Sequence, residues 1–330
     1  MNYKKIAFFS AYNIIVVLFM IIIFELIIRF FVPEIQPQGT SEKILKENRY
    51  FTSIGLNPNS NGFSNGANVS VNKFGFRNNN IPIDTSKESW LFLGDSVTMG
   101  IGVEDDSTFS AIIQRKFSNI NILNPSAIGW SVNDYKNAAK YFITKNENNL
   151  KISKIFIFYC LNDLYNSEIS KEAPGEYLRE NFGSLLRYIR LNSRLYIFLK
   201  NLFSDRSKAY FEYDKQFYNP NNPEFENAIK TIISIDSLCA RKKIQFIFVS
   251  LPYEYQLRGK GNSKQPQQLI IGRLLSENIL TYNMFNFFSE KALQKAVGSK
   301  SLFLYYDGIH FSNLGHRFAA DFILKYIIKQ

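Results

Sequence analysis

The longest apolar run in the chain, "IAFFSAYNIIVVLFMIIIF" from Ile6 to Phe24, is interrupted mainly by Ser10, Tyr12 and Asn13. As a helix it would span about 28 Å, close to the hydrocarbon thickness of a bilayer. It leads into "ELIIRFFVPEIQPQG", which offers no small-residue cleavage site. The pattern therefore predicts an uncleaved membrane anchor over residues 1–32, contacting lipid through 6–32, rather than a removed signal peptide. Glu25 and Arg29 lie four apart and can pair on one helical face. Basic residues flank the run on both sides: Lys4 and Lys5 before it, Arg29, Lys43, Lys46 and Arg49 after it. Long trailing domains translocate largely regardless of charge. We therefore expect the N-terminus inside and the bulk of the chain outside, periplasmic or extracellular.

Residues 33–88 read as a polar connector crowded with Asn, Gly and Ser, in which the alternation of "NVSVNKFGF" predicts a short strand or hairpin. From residue 89 the pattern changes to alternating strand-like and helix-like segments. "SWLFLG", "INILN", "KIFIFYCLND" and "IQFIFVSLPY" are short apolar runs of the kind that form strands buried on both faces, and "ILTYNMF" is a weaker fifth. Helices are predicted near 108–117, over Val132, Tyr135, Ala138, Ala139 and Phe142, over about 223–241, and at the C-terminus along Phe318, Phe322, Ile323 and Tyr326. Repeated β-α units imply one parallel sheet with helices on both faces, an α/β domain over 89–330. Residues 164–222 interrupt the alternation with an Arg-rich helical pattern. They read as an insertion packed on the core; a lid, or a basic helix lying on the membrane surface, are the alternatives.

In an open parallel sheet, ligands gather outside the carboxyl ends of the strands. Four loops deliver polar residues there. "GDSVTMG" follows the first strand and carries Ser96 into a predicted helix start; "NPSAIGW" follows the second and carries Gly129; "LND" follows the third and carries Asn162 and Asp163. Near the C-terminus "DGIHFSNLGH" contains both histidines of the chain, His310 and His316, and Asp307. Each residue has a plainer reading: Ser96 as a helix cap, the glycines as turn formers, Asn162-Asp163 as a turn.

Composition narrows the field only slightly. A net charge of +11 permits anionic partners, but no zinc-finger spacing, aromatic RNA-binding signature or basic arm points to nucleic acid. Cys160 and Cys239 make no metal-ligand spacing and read as buried small apolar residues. Asp307, His310 and His316 match no zinc pattern. We expect no metal and no cofactor.

Taken together, the "GDS" triplet with Ser96, Gly129, Asn162 and the "DGIH" block resemble the SGNH, or GDSL-type, serine hydrolase superfamily, over residues 89–163 and about 300–330. The resemblance implies a three-layer α/β/α flavodoxin-like fold and ester hydrolysis or acyl transfer. It implies that Ser96 is the nucleophile, His310 its base and Asp307 the orienter, with Ser96, Gly129 and Asn162 supplying an oxyanion hole. His316 is then a bystander in the last helix. Cys160 departs from the family, which often has Gly at the head of the third block. The layout also looks like anchored members in which a stretch similar to "VNKFGFRNN" precedes the serine block. Such proteins are often associated with envelope glycans, so an acetyl or other small acyl ester on a carbohydrate is the expected substrate. The same residues would serve an O-acyltransferase. A non-catalytic envelope scaffold is the alternative of a different class, motivated by the basic insertion and Cys160. Protein partners are not legible.

Overall fold

The computed structural model describes residues 3–77, 81–145, 149–165, 176–259 and 264–328. Part of the Arg-rich insertion (166–175) and Asn78–Asn80 after "GFR" lie outside the described residues.

Helix α1 (Tyr3–Phe31) is, among the described residues, the one helix long and apolar enough to cross a membrane. Its side chains are exposed along most of its length. At its C-terminal end the Arg29 Nε donates to Glu25 at 2.7 Å, the pairing their spacing suggests.

Beyond it the connector folds into two antiparallel pairs, β1 (Leu45–Glu47) with β2 (Ile54–Leu56) and β3 (Ser60–Ser64) with β4 (Ala67–Val71). The strand read in "NVSVN" thus pairs with the segment upstream of it. "KFGF" instead forms a turn, with Gly75 at a left-handed φ of 83° that a side chain would disfavour. The connector is bound to the α/β domain: Ser53 N donates to Asp134 Oδ1 at 2.8 Å and the Trp130 indole N–H donates to the Ile54 carbonyl.

The domain itself is built on five parallel strands, β5 (Glu88–Gly94), β6 (Ile120–Leu123), β7 (Lys151–Tyr159), β8 (Gln245–Ser250) and β9 (Thr281–Asn283). Their order is β6-β5-β7-β8-β9, which places the reversal of winding at β5. Six of the seven β5 residues are buried, because helices cover both faces. Phe92, Phe156 and Phe158 pack edge-on and stacked against one another at its centre.

The helices are α2 (Ser96–Met99), α3 (Phe109–Gln114), α4 (Val132–Thr144), α5 (Glu176–Asn192), α6 (Arg194–Phe203), α7 (Arg206–Lys215), α8 (Pro223–Arg241), α9 (Gln265–Ser276), α10 (Met284–Gln294) and α11 (Asn313–Ile323). Local chemistry sets their starts. Ser131 and Asp134 form a reciprocal capping box on α4, Asn222 caps α8 with Pro223 in its first turn, and Ser312 caps α11.

The insertion supplies α5, α6 and α7. The turn between α5 and α6 sits on the end of α1: the Glu25 carboxylate accepts from Ser193 Oγ, Arg194 N and Leu195 N at 2.9–3.0 Å, and Arg29 donates to the Asn192 carbonyl. Acidic Glu25 therefore satisfies the free N–H groups that open α6.

Candidate active site

Ser96 stands at the first position of α2, directly after β5. That helix is a single turn ending at Gly100, whose φ of 87° reverses the chain. So short a helix has little dipole to offer the serine, and side chains set its environment instead. Asp95 caps the turn by accepting from Val97 N at 2.8 Å, and its other oxygen lies 3.2 Å from Ser96 Oγ. Gly94 is required by space: a Cβ there would lie 2.0 Å from Thr98 Oγ1 and 2.9 Å from the Phe158 carbonyl.

Ser96 Oγ is 2.8 Å from His310 Nε2, and His310 Nδ1 is 2.8 Å from Asp307 Oδ2. The three residues thus form one hydrogen-bonded chain, 214 residues apart in sequence at its first link. The loop carrying Asp307 and His310 is held on all sides. Asp307 Oδ1 accepts from the backbone N–H of Ile309 and His310, Leu304 N donates to the His310 carbonyl, and Glu254 N donates to Gly308 O. Burial alone would raise the Asp307 carboxyl. The His310 and Arg206 charges and the donated hydrogen bonds outweigh it and hold Asp307 well below the usual carboxylate range. It is thus ionised where an imidazolium would need stabilising. Arg206, from α7 of the insertion, has its Nη1 3.9 Å from Asp307 Oδ2.

The strand order settles the neighbours of Ser96. β6 lies on one side of β5 and β7 on the other, so the loops after them flank the serine loop. Gly129 stands exposed on the loop after β6 at a φ of 74°. A Cβ there would meet nothing within 4 Å, so backbone conformation rather than crowding favours glycine. Asn162 stands half-buried on the loop after β7, its Oδ1 accepting from the Tyr253 hydroxyl at 3.1 Å. Asp163, which the sequence put at the same edge, turns inward: it is fully buried and its Oδ2 accepts from Cys160 N at 2.6 Å.

Asp95, Cys160 and Asp163 bring one potential ligand atom each within 4.8 Å of one another, all buried. Burial raises all three groups, and the proximity of Asp95 and Asp163 raises Asp163 and Cys160 further. His316 lies in the first turns of α11, buried, with Nδ1 accepting from Phe109 N at 3.2 Å and its ring stacked on Phe109. It has no contact with Ser96 among the hydrogen bonds of the described residues, in keeping with a structural part.

Three residues near the site were not singled out from sequence. Asp95 was in view inside "GDS". Tyr253 follows β8 in "SLPY" and so obeys the same strand-end rule that found the others. Arg206 gave no signal, because nothing in a helical Arg-rich pattern says which basic residue meets a carboxylate.

A doubly wound parallel sheet with a serine, a histidine and an aspartate joined at its carboxyl edge defines an α/β hydrolytic domain. A family model of GDSL-like lipase/acylhydrolase domains matches residues 91–323, more than two thirds of the chain. The protein belongs to this family and is an enzyme of the GDSL-like lipase/acylhydrolase type. No curated protein matches the sequence. Among solved structures it is similar to a member of the lipolytic G-D-S-L family from Veillonella parvula, at 16% identity and a TM-score of 0.43, covering 74% of this chain and 100% of that one. It is also similar to an acetylxylan esterase from Geobacillus stearothermophilus (15% identity, TM-score 0.43, 74% and 95% covered). The esterase EstA from Pseudoalteromonas gives 12% identity and a TM-score of 0.40, with 74% and 98% covered.

Proposed function

We propose that the chain is a membrane-tethered serine esterase that removes a small acyl group, acetyl foremost, from a carbohydrate of the cell envelope. The observation that carries the chemistry is the chain of two 2.8 Å contacts from Ser96 through His310 to Asp307. Neutral His310 takes the Ser96 proton through Nε2 as Oγ attacks the ester carbonyl, and Asp307 fixes the tautomer by accepting from Nδ1. The tetrahedral oxyanion is stabilised by the N–H groups of Ser96 and Gly129 and the side-chain amide of Asn162, on either side of the serine loop. Collapse expels the alcohol, protonated by His310, and leaves an acyl-Ser96 ester that water then attacks with His310 again as base.

Tethering through α1 is supported by the length and exposed apolar surface of that helix; the extracytoplasmic side is part of the proposal, in line with the translocation of long trailing domains largely regardless of charge. The carbohydrate substrate rests on the anchor-connector-hydrolase layout and its resemblance to envelope enzymes.

The test is labelling of the full chain in detergent with a fluorophosphonate, followed by digestion and mass spectrometry. We expect modification at Ser96, abolished in Ser96→Ala and lost in His310→Ala. A folded protein that stays unlabelled, or one labelled at another serine, overturns the mechanism. Release of free acetate from an acetylated oligosaccharide supports hydrolysis; transfer to a second sugar in preference to water makes the enzyme an acyltransferase.

A further inference from the structure

Beneath Asn162 lies a buried polar group that the mechanism above does not use. The Tyr253 hydroxyl, on the loop after β8, is 3.1 Å from Asn162 Oδ1 and 2.7 Å from Asp214 Oδ2. Asp214 comes from α7 of the insertion and is fully buried, with its Oδ1 accepting from the Tyr165 hydroxyl. Tyr253 is fully buried as well. A phenol has one proton, and here it faces two acceptors.

We propose that Tyr253 and Asp214 are positioning residues that set the orientation of the Asn162 amide, so that the insertion switches the oxyanion site on and off through Asp214. The inference rests on the oxyanion role assigned to Asn162 above.

The two states follow from proton counting. When Asp214 is neutral, its own proton on Oδ2 is donated to the Tyr253 oxygen. The phenol proton is then free to be donated to Asn162 Oδ1. That contact holds the carbonyl end of the amide inward and leaves Nδ2 to donate to the oxyanion. When Asp214 is ionised, the charged oxygen is the stronger acceptor and takes the phenol proton. The Tyr253 oxygen then has only lone pairs to offer, and Asn162 Oδ1 against it is repulsive. Rotating the amide lets Nδ2 donate to Tyr253 and turns Oδ1 toward the site, where it opposes a developing negative charge. No atom leaves the network; one proton is gained or lost at Asp214.

Asp214 is suited to make this change near neutrality. Burial raises it and the tyrosine hydrogen bonds lower it, leaving it at about 7. The titratable groups around it are all neutral donors or raised acids: Tyr165 and Tyr253 in contact, and Asp163, Cys160, Tyr159 and Tyr218 in the surrounding core. No cation among them holds Asp214 ionised. The sign is therefore fixed: the productive orientation prevails below about pH 7 and is lost as pH rises through that value.

The experiment measures the second-order rate of fluorophosphonate modification of Ser96 in the full chain in detergent, across the range from about pH 5.5 to 9, a readout that needs no natural substrate and depends on oxyanion stabilisation. Titrations of groups other than Asp214 are shared by all variants and cancel in ratios between them. Asp214→Asn mimics the neutral acid, since its Nδ2 donates to Tyr253 at every pH. Its rate relative to wild type should climb about 10-fold or more between pH 6 and pH 9, following the loss of one proton from the wild type. Tyr253→Phe removes the orienting hydroxyl; it should slow the reaction about 10-fold at acid pH, and the same substitution in an Asn162→Ala background should have no further effect. If Tyr253→Phe and Asp214→Asn both keep the wild-type profile while Asn162→Ala loses about 100-fold, the relay is overturned and the oxyanion role stands. If Asn162→Ala keeps the wild-type rate while Ser96→Ala is unlabelled, the oxyanion role of Asn162 fails and the relay fails with it.

Discussion

Arg77, the arginine of "VNKFGFRNN", is 2% exposed, and every N–H of its guanidinium has a partner. Nε donates to Asp105 Oδ1 at 2.8 Å, Nη1 to the carbonyls of Met99 and Gly100, and Nη2 to those of Asn68 and Val103. Two of these carbonyls close α2, the turn that begins at Ser96; Asn68 belongs to β4 of the connector. One side chain therefore ties the connector to the segment that carries Ser96.

Arg77→Met keeps much of the side-chain length and removes all five donors, leaving Asp105 and four carbonyls short of partners. Breaking a buried ion pair by deleting one member costs about 3–5 kcal/mol. Five hydrogen bonds at about 1 kcal/mol each give a similar figure. At roughly 2–4 °C per kcal/mol for a domain of this size, the melting temperature should fall by about 6–20 °C. Arg77→Lys keeps the charge but offers three donors from a point, enough for Asp105 and at most two carbonyls, and should lose roughly half as much. The assay is thermal unfolding of the full chain in detergent, followed by tryptophan fluorescence, with Trp90 and Trp130 both buried. An Arg77→Met protein melting within about 4 °C of wild type would refute the clamp, because it would mean that water or rearranged backbone replaces the five contacts at little cost.

Two further outcomes follow from packing and from titration. A Cβ on Gly308 would lie 2.5 Å from the Cα of Ser207, so rotamer changes cannot relieve it; Gly308→Ala should destabilise by about 1–3 kcal/mol in urea unfolding, and Ser207→Gly should restore only part of that. His316 is lowered to about 3 by burial, with the Arg77 and His310 charges adding to the effect. Because its folded value lies below the ordinary one near 6.5, its contribution to stability is complete above about pH 6.5 and shrinks as pH falls toward 3, by up to about 1.4 kcal/mol per unit. In His316→Gln, whose side chain can still accept from Phe109 N, the urea midpoint should depend less on pH between about 6.5 and 4 than in wild type; parallel curves would contradict the assignment.

The parts of the site legible in the sequence are those that topology alone positions. Ser96, Gly129 and Asn162 each follow an apolar run, and consecutive strands of a parallel sheet put their ends together whatever the side chains between them do. The "DGIH" block was legible only through its resemblance to the family's Asp-x-x-His block; the structure adds the local reason, Asp307 holding the turn with one oxygen and meeting the imidazole with the other. The connector was harder. "NVSV" has strand periodicity, but periodicity does not name a partner strand, and the burial of Arg77 could not be foreseen from a sequence in which arginine is ordinarily a surface residue.

The insertion was least legible, and it joins the two ends of the molecule. An amphipathic helix pattern tells which residues seek cover but not what covers them. Here the cover comes from opposite directions. Glu25 of α1 caps the start of α6, and Ile28 and Ile35 pack with Ile197 of α6 and with Tyr306. Tyr306 immediately precedes Asp307, and its hydroxyl meets Ser204 at the end of α6. Arg206 then faces Asp307, Ser207 abuts Gly308, and Asp214 stands behind Tyr253 and Asn162. A displacement of α6 against α1 would therefore reach the Asp307–His310 loop through Tyr306, and one of α7 would reach that loop through Arg206 and Asn162 through Asp214 and Tyr253. The two sides of the candidate site thus meet in a segment that contributes neither Ser96, His310 and Asp307 nor Gly129 and Asn162.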